Sequence, residues 1–348
     1  MGKYISYTFY ILLILLITEI VIYFFLKNSF KSLLPGYGYN FKEDNFGLIR
    51  DYFEKDNFLG HNIPVNRTKK FIHIPKETAP YEVWGNNIGC NDIDVKNFND
   101  EYIYITGDSF TWGFVNHESK FSTLIRKRLN KFYSIINCGI TATGTVHQYY
   151  NFINKFEKFE NLKYVVVNFY DNDLWEDNDF PAFTVIEGFL SKNDKISIGE
   201  TRDFAKGAHE SNFRDYLRSY SFFFNLIKQL KNKYTIIKNR SNVINLGLKR
   251  ERHDLPTENE KILKKWKDHS EKNDYELIIS MICPKNVVQN YYDKYYTNLK
   301  SLGITVLNFC TSKEYKNNGN KLYWVFDGHF NELGHKKYAD FLLRSIFD

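Results

Sequence analysis

The stretch Tyr102-Ile103-Tyr104-Ile105-Thr106-Gly107-Asp108-Ser109-Phe110 decides the fold prediction for this chain. Its apolar first half is typical of a short buried strand, and Gly107 permits a backbone geometry that other residues resist. The pattern from Glu118 to Phe132 predicts an amphipathic helix. A strand, a sharp turn and a helix would present the Ser109 hydroxyl at the edge of a sheet, where a nucleophile belongs. An ordinary turn is the alternative, because Asp and Ser are common in turns.

A carboxylate and an imidazole stand two residues apart near the other end of the chain, in Asp327-Gly328-His329. A serine hydroxyl is a poor nucleophile until a histidine accepts its proton, and that histidine needs an acid to fix its tautomer. Asp327 and His329 are the candidates for these two roles. His335 is the alternative base, and His147 is a candidate for lining the pocket or for a structural role.

Strands and helices alternate from residue 101 onward, which predicts a parallel sheet covered by helices on both faces. We therefore expect an α/β fold, a three-layer α/β/α sandwich with a five-stranded parallel sheet of the flavodoxin-like kind. The predicted strands are Tyr102 to Ile105, Ser134 to Asn137, Tyr164 to Phe169, Glu276 to Ile282 and Ile304 to Asn308. The predicted helices are 118 to 132, 144 to 159, 286 to 301 and 334 to 347.

Four blocks of sequence, in this order, resemble the SGNH hydrolases, also called the GDSL esterases. Within that family the resemblance is greatest to membrane-anchored bacterial members that handle acyl groups on surface polysaccharides, and it covers roughly residues 98 to 348. The blocks are Gly107-Asp108-Ser109-Phe110-Thr111-Trp112-Gly113, Ile136-Asn137-Cys138-Gly139-Ile140-Thr141-Ala142-Thr143-Gly144-Thr145, Val165-Val166-Val167-Asn168-Phe169-Tyr170-Asp171-Asn172-Asp173 and Asp327-Gly328-His329.

The resemblance implies that Ser109 is the nucleophile, His329 the general base and Asp327 the acid that orients it. Asn172 matches the asparagine whose side chain points into the family's oxyanion hole. The family has Gly-x-Asn-Asp there, whereas this chain has Tyr170-Asp171-Asn172-Asp173, so the glycine is replaced.

Two residues compete for the backbone position of the oxyanion hole, alongside the amide of Ser109. Counting from Asn137 aligns the family glycine with Ala142, although Gly139 is the nearer glycine. A backbone N–H serves from either residue. Alanine lacks only the freedom at positive φ, so it is a tolerable replacement for the glycine if this position has an ordinary conformation.

These residues predict acyl transfer from an ester through an acyl-serine intermediate, with water or a sugar hydroxyl as the acceptor. The resemblance implies an O-acetylesterase or O-acetyltransferase that acts on a cell-surface polysaccharide. The alternatives are a lipid esterase, such as a lysophospholipase or thioesterase, and a non-catalytic assembly subunit with the same fold. We expect no cofactor and no metal, since no pair of histidines or cysteines has metal-ligand spacing.

The chain is almost wholly apolar from Tyr4 to Leu26, a length of roughly 34 Å as a helix, which is enough to cross a bilayer. The run ends in Phe24-Phe25-Leu26-Lys27 without the small residues of a cleavage site, so an uncleaved anchor at 4–26 is predicted. The charges Lys3, Lys27 and Lys31 do not decide the orientation. The resemblance favours a periplasmic or extracytoplasmic catalytic domain.

Glu19 lies within this apolar run, where an ionisable group is costly and usually has a partner. Another membrane protein is the predicted partner, and a neutral, outweighed Glu19 is the alternative.

The 348-residue chain has a formal charge of +6, but its lysines are scattered and form no basic stripe, so a nucleic-acid partner is not expected. Cys90, Cys138, Cys283 and Cys310 are as compatible with buried thiols as with disulfides.

The domain prediction has three parts: the anchor, a stem at 27–97 that packs on the domain, and the domain itself at 98–348. An insertion at about 174–255 interrupts the strand and helix alternation. Its 174–200 part directly follows Asn172 and is the candidate for recognising the acceptor or glycan.

Overall fold

The computed structural model describes residues 2–26, 51–72, 81–186, 188–193, 221–224, 226–227, 230, 257–285, 292–324 and 327–347. Predictions on residues 27–50, on 194–220, on 231–256 and on the start of the helix at 286–301 lie outside the described residues. The chain divides into two compact units. The larger unit comprises Gly47–Ile72, Pro80–Ala205 and Arg252–Asp348.

The smaller unit contains the apolar N-terminal helix α1 (Gly2–Val21), which continues as a π-helical turn at Ile22–Leu26. Its segment Tyr7–Phe25 has a mean hydropathy of 2.4 and is long enough to cross a membrane. An N-terminal signal sequence can also form such an apolar helix, so the anchor at 4–26 stays a prediction.

Glu19 on α1 finds hydrogen-bond partners within its own chain. Its carboxylate accepts from the Ser221 hydroxyl at 2.6 Å and from the backbone N–H groups of Phe222 at 2.7 Å and Phe223 at 3.1 Å. The amides of Phe222 and Phe223 lie at the start of a helical stretch, where N–H groups lack intrahelical partners and attract negative charge. The cost of an acidic group on an apolar helix is therefore reduced by an internal contact. A contact with another membrane protein stays a prediction.

The larger unit begins with two small antiparallel pairs. These are β1 (Glu54–Asp56) with β2 (Gly60–Asn62), and β3 (Lys70–Ile72) with β4 (Tyr81–Val83). The elements that follow are β5 (Tyr102–Gly107), α2 (Ser109–Trp112), α3 (Phe121–Leu129), β6 (Ser134–Asn137), α4 (Thr145–Phe156), β7 (Leu162–Phe169), α5 (Asp173–Asn178), β8 (Phe183–Ile186), β9 (Phe189–Lys192), α6 (Thr257–Lys272), β10 (Glu276–Met281), α7 (Asp293–Ser301), β11 (Thr305–Asn308), α8 (Lys313–Asn318) and α9 (Glu332–Phe347).

Five of these strands form a parallel sheet in the order β11-β10-β7-β5-β6. Strand β5 is buried along its whole length, as expected of a parallel strand covered on both faces. Helix α3 packs against α9, and α4 packs against α5 and α6. The predicted α/β fold with a five-stranded parallel sheet is confirmed.

Element boundaries differ from the prediction in several places. The helix predicted at 118–132 is a 3₁₀ turn, His117–Ser119, followed by α3, because Lys120 between them has an extended backbone. The described part of the predicted insertion contains α5 and the antiparallel hairpin β8–β9. Helix α6 was not predicted, since its sequence is rich in charged residues.

Residues of the predicted stem pack directly on the sheet domain. Tyr52, Ile63 and Ile72 are buried in one apolar cluster with Trp112, which ends α2, and with Ile140, which follows β6. The described part of the 27–97 segment therefore contributes a wall beside the turn that carries Ser109.

Both pairs of cysteines form disulfides, which the sequence left open. Cys90 is bonded to Cys138, so the predicted stem at 27–97, called the lead-in below, is tethered to the residue after β6. Cys283 is bonded to Cys310, which joins the segments that follow β10 and β11. Such cross-links restrict the unfolded chain and thereby raise the free energy of unfolding, typically by about 2–4 kcal/mol each.

The order of the strands determines where a site can form. Strands β5 and β7 are neighbours. The chain leads from β5 to β6 on one side of this pair, whereas after β7 it leads to β10 on the other side, so the two connections leave in opposite directions. A crevice opens at the carboxyl ends of two such strands. Ser109 follows β5 and Asn172 follows β7, so both residues lie at this crevice.

Candidate active site

The turn after β5 is built around Gly107, whose φ is +152°. A Cβ at this position would lie 2.2 Å from Thr111 Oγ1 and 2.7 Å from the Asn168 carbonyl oxygen, so no larger residue fits. Asp108 then caps α2 by accepting a hydrogen bond from the Phe110 N–H at 2.9 Å. The turn therefore leaves Ser109, the first residue of α2, partly exposed at the crevice.

Ser109, His329 and Asp327 form one hydrogen-bonded chain. The Ser109 hydroxyl oxygen lies 2.7 Å from His329 Nε2, and His329 Nδ1 lies 2.5 Å from Asp327 Oδ1. Asp327 is acceptor only when ionised, so Nδ1 carries the proton and Nε2 is free to accept one from Ser109. Residues 220 positions apart thus place a serine hydroxyl in contact with an imidazole nitrogen that can accept its proton.

The loop of Asp327 and His329 is held by its own backbone and by a lysine. The backbone N–H of His329 donates to Asp327 Oδ1 at 2.8 Å. The Lys285 ammonium donates to the Trp324 carbonyl at 2.6 Å and to the Asp327 carbonyl at 3.4 Å. Burial raises the pKa of Asp327, but hydrogen bonds from His329 outweigh burial, and the pKa is lowered overall. Asp327 is therefore ionised at neutral pH.

Two aromatic rings confine the imidazole of His329. The ring of Phe114 lies 4.4 Å and that of Phe110 lies 4.9 Å from it, centroid to centroid. These contacts limit rotation of the imidazole and shield its hydrogen bonds from water.

The other two candidate histidines lie away from Ser109. His335 is buried in α9, stacks on Phe121 and accepts a hydrogen bond from the Phe121 N–H at 3.3 Å. His147 on α4 contacts the backbone carbonyl of His61 at 2.9 Å. Burial lowers the pKa of each to about 3, so both are neutral and structural.

Gly139 and Ala142 differ in what their N–H groups do. The Gly139 N–H donates to Asn137 Oδ1 at 2.9 Å, which occupies it. The N–H groups of Ala142 and Ser109 donate to no other group in the described part of the chain. Of the two predicted alternatives, only Ala142 offers an unengaged donor.

Ala142 does not have the ordinary conformation under which alanine would replace the glycine without strain. Its φ is +61°, in the left-handed region that disfavours a Cβ, at a cost of roughly 1–2 kcal/mol. The sequence does not indicate this strain, because alanine is common in unstrained positions. Strained residues persist where surrounding contacts hold them, which is frequent at functional sites.

A group of buried carboxyls lies beside these residues. Burial raises the pKa of Asp108 to about 6, that of Asp177 to about 7 and that of Glu176 to about 8. Burial, followed by the negative charge of Asp108, also raises the pKa of Asp173. Asp177 accepts hydrogen bonds from the Val146 N–H at 2.7 Å and from the Asn259 amide at 2.6 Å. At neutral pH the group therefore retains protons and carries less than its full negative charge.

Asn172 connects this group to the nucleophile. The Asn172 side chain lowers the pKa values of Asp108 and Glu176, against the larger effect of burial, which raises them. Its Oδ1 is buried without a partner among the described residues, and so is Oε2 of Glu176. Asp108 Oδ2 in turn lies 3.3 Å from the Ser109 hydroxyl. Asn172 thus lies near Asp108, the residue before Ser109, and its role as an oxyanion donor stays a prediction.

Two buried asparagines support the site although the sequence reasoning gave them no role. Asn137 Nδ2 donates to the Thr111 carbonyl at 2.7 Å, and Asn168 Nδ2 donates to Thr111 Oγ1 at 2.9 Å. Both residues end or nearly end apolar strands. An amide at the carboxyl end of a predicted buried strand was the available signal, because a buried amide needs partners.

Comparison with solved structures finds neighbours of low sequence identity. No family model matches the sequence, and no curated protein matches it. A lipolytic protein of the G-D-S-L family from Desulfitobacterium hafniense has a TM-score of 0.38 and 12% identity, covering 71% of this chain and 100% of its own. A variant of the acetyl xylan esterase Axe2 from Geobacillus stearothermophilus has a TM-score of 0.36 and 13% identity, over 72% and 95% of the two chains. A carbohydrate acetylesterase family member from Sinorhizobium meliloti has a TM-score of 0.34 and 14% identity, over 71% and 97%.

The left-handed conformation of Ala142 predicts that Ala142→Gly stabilises the protein. Glycine relieves the roughly 1–2 kcal/mol of strain, but its greater freedom in the unfolded chain costs about 0.4–1 kcal/mol, so we expect a gain of up to about 1.6 kcal/mol. Thermal unfolding of the full chain in detergent measures it. The matched control is Ala339→Gly within α9, which we expect to lower the midpoint. A lower midpoint for Ala142→Gly would show that the position is unstrained.

The buried Glu176 predicts a pH-dependent loss of stability. Its pKa rises from an ordinary 4.5 to about 8 on folding, so the folded state binds its proton more tightly. The contribution of Glu176 to the free energy of unfolding is fully present below about pH 4.5 and is lost as the pH rises toward 8. At about 1.4 kcal/mol per pKa unit, the loss is on the order of several kcal/mol.

Glu176→Gln removes this titration while keeping the shape. We expect the variant and the wild type to unfold at similar temperatures near pH 4.5 and the variant to be increasingly more stable toward pH 8. A constant difference across this range would mean that the folded Glu176 is ionised.

Proposed function

We propose that this chain is an SGNH-type serine hydrolase or acyltransferase that removes or transfers O-acetyl groups on a cell-surface polysaccharide. One observation carries the proposal: the chain from the Ser109 hydroxyl through His329 to Asp327, at 2.7 and 2.5 Å, in a crevice at the carboxyl ends of parallel strands. This is the arrangement of a nucleophile, its general base and the acid that orients the base.

The proposed reaction has two halves. Ser109 Oγ attacks the ester carbonyl carbon while His329 Nε2 takes the hydroxyl proton, and Asp327 stabilises the imidazolium that forms. The tetrahedral intermediate expels the alcohol, which receives the proton from His329, and an acyl-serine remains. Water or a sugar hydroxyl then attacks the acyl carbon, His329 again accepts and returns the proton, and the acid or the new ester leaves Ser109.

Negative charge develops on the carbonyl oxygen during both attacks and needs fixed donors. The unengaged N–H groups of Ser109 and Ala142 support an oxyanion hole at this point. Asn172 is proposed as the third donor. Its proximity to Asp108, the residue before the nucleophile, supports this role.

The compartment is proposed from two features. The disulfides Cys90–Cys138 and Cys283–Cys310 are typical of an oxidising, extracytoplasmic environment. The apolar segment Tyr7–Phe25 would anchor the enzyme there as a single-pass membrane protein. The substrate would then be an ester on the outer side of the membrane.

A carbohydrate substrate is supported by the residues after Asn172. Trp175 is partly buried, lies 6.0 Å from the ring of Phe183 and has the Lys192 ammonium 5.2 Å from its ring centroid. An aromatic face beside polar groups is suited to a sugar ring, whose two faces are apolar and whose rim is polar.

Covalent labelling tests the catalytic role of Ser109. We expect a fluorophosphonate to label the full-length protein and to leave Ser109→Ala unlabelled, with Ser301→Ala, an exposed serine in α7, labelled like the wild type. An intact protein that takes no label would favour the non-catalytic subunit. Acetyl esters with and without a glycan acceptor then separate hydrolysis from transfer. Faster turnover of long-chain esters would favour the lipid esterase.

The proposed oxyanion hole predicts the effect of removing Asn172. Loss of one donor costs about 2.7–4 kcal/mol of barrier, so Asn172→Ala should lower kcat a hundred- to thousand-fold while the protein stays folded. Asn178→Ala, the same change at the exposed end of α5, is the control and should leave kcat unchanged. A folded Asn172→Ala variant with near-normal turnover would remove Asn172 from the site.

A further inference from the structure

We propose that His61, a residue of the lead-in, is a positioning residue that holds the Ala142 N–H toward the crevice. The inference rests on the proposed function, because it assigns the orientation of one oxyanion donor. It extends that function to a segment outside the four sequence blocks.

His61 contacts the peptide group that carries the Ala142 N–H. Its Nε2 lies 3.0 Å from the Thr141 carbonyl oxygen. A carbonyl only accepts hydrogen bonds, so Nε2 carries the proton and donates. The Thr141–Ala142 peptide is trans, and a trans peptide directs its C=O and N–H to opposite sides. Fixing the Thr141 oxygen on the His61 side therefore fixes the Ala142 N–H on the other side.

This peptide needs such a contact. Ala142 has a φ of +61°, and a rotation of the peptide would allow it to leave that conformation. The same rotation would turn its N–H away from the oxyanion. No other hydrogen bond holds the Thr141 oxygen or the Ala142 N–H among the described residues.

His61 is itself rigidly placed. It is only 1% exposed, and it lies on β2 opposite Lys55 of β1. Its own carbonyl accepts a hydrogen bond from His147 Nε2 of α4 at 2.9 Å, and the ring of Phe53 packs edge-on at 5.4 Å. Burial lowers the pKa of His61 to about 4, which keeps it neutral with a single ring proton at neutral pH. His61 is therefore held both by its own strand β2 and by His147 of α4.

The test compares kcat and KM for an acetyl ester among full-length variants. His61→Leu removes the donor, and misplacement of a catalytic group should lower kcat on the order of ten- to a hundred-fold with KM nearly unchanged. His61→Gln places an amide N–H near the former Nε2 and should retain most of kcat. His269→Leu, the same change at a partly buried histidine of α6, is the control and should leave kcat near wild type.

A second pair keeps the test decisive if His61→Leu does not fold. His61→Asn has the same amide on a shorter side chain, so it should lose kcat where His61→Gln does not. Equal kcat for Asn and Gln, or wild-type kcat for a folded His61→Leu, overturns the positioning role. A wild type no more active than Ser109→Ala overturns the proposed function and this inference with it.

Discussion

The site depends on hydrogen bonds that two buried asparagine side chains donate to Thr111. The Asn137 and Asn168 side chains reach Thr111 from β6 and β7, one to its carbonyl and one to its hydroxyl. Because Thr111 lies in the middle of α2, these bonds fix the first turn of the helix that begins with Ser109. Asn168 also accepts from the Tyr338 hydroxyl at 2.7 Å, which extends the network to α9. Buried amides are stable only when they are satisfied, so the network holds the turn in a single arrangement.

The same network reaches the lead-in and the loop after β6. The Asn137 N–H donates to Asp92 at 2.7 Å, and Asp92 is also paired with Arg126 of α3. The Asn137 side chain holds the Gly139 N–H, and the Cys90–Cys138 disulfide joins the two segments covalently. The loop that ends in the strained Ala142 therefore begins from a fixed point and is contacted by His61 at its far end. Residues before the sheet domain are thus part of the site.

Sheet topology explains why residues so distant in sequence meet. Ser109 and His329 are 220 positions apart, yet parallel strands end on one side of the sheet, and the chain returns there after β11. Carboxyls placed in this crevice lose contact with water, which raises their pKa values. A crevice that is partly dry strengthens the hydrogen bonds of His329 and Asp327, so the environment and the geometry favour the same chemistry.

Local patterns in the sequence determined the five strands, the turn at Gly107-Asp108-Ser109 and the pairing of a carboxylate with an imidazole in Asp327-Gly328-His329. Apolar runs, glycine and short spacings act within a few residues, so they can be interpreted without the fold. Only the tertiary structure decided that Ala142 is left-handed, that its N–H and not that of Gly139 is unengaged, which cysteines pair, and that Glu19 contacts Ser221. The disulfides and the contact of Glu19 join residues tens or hundreds of positions apart, whereas the hydrogen bonds at 139–142 depend on how that loop is folded. Burial by distant residues sets hydrogen bonds and protonation that no local pattern records.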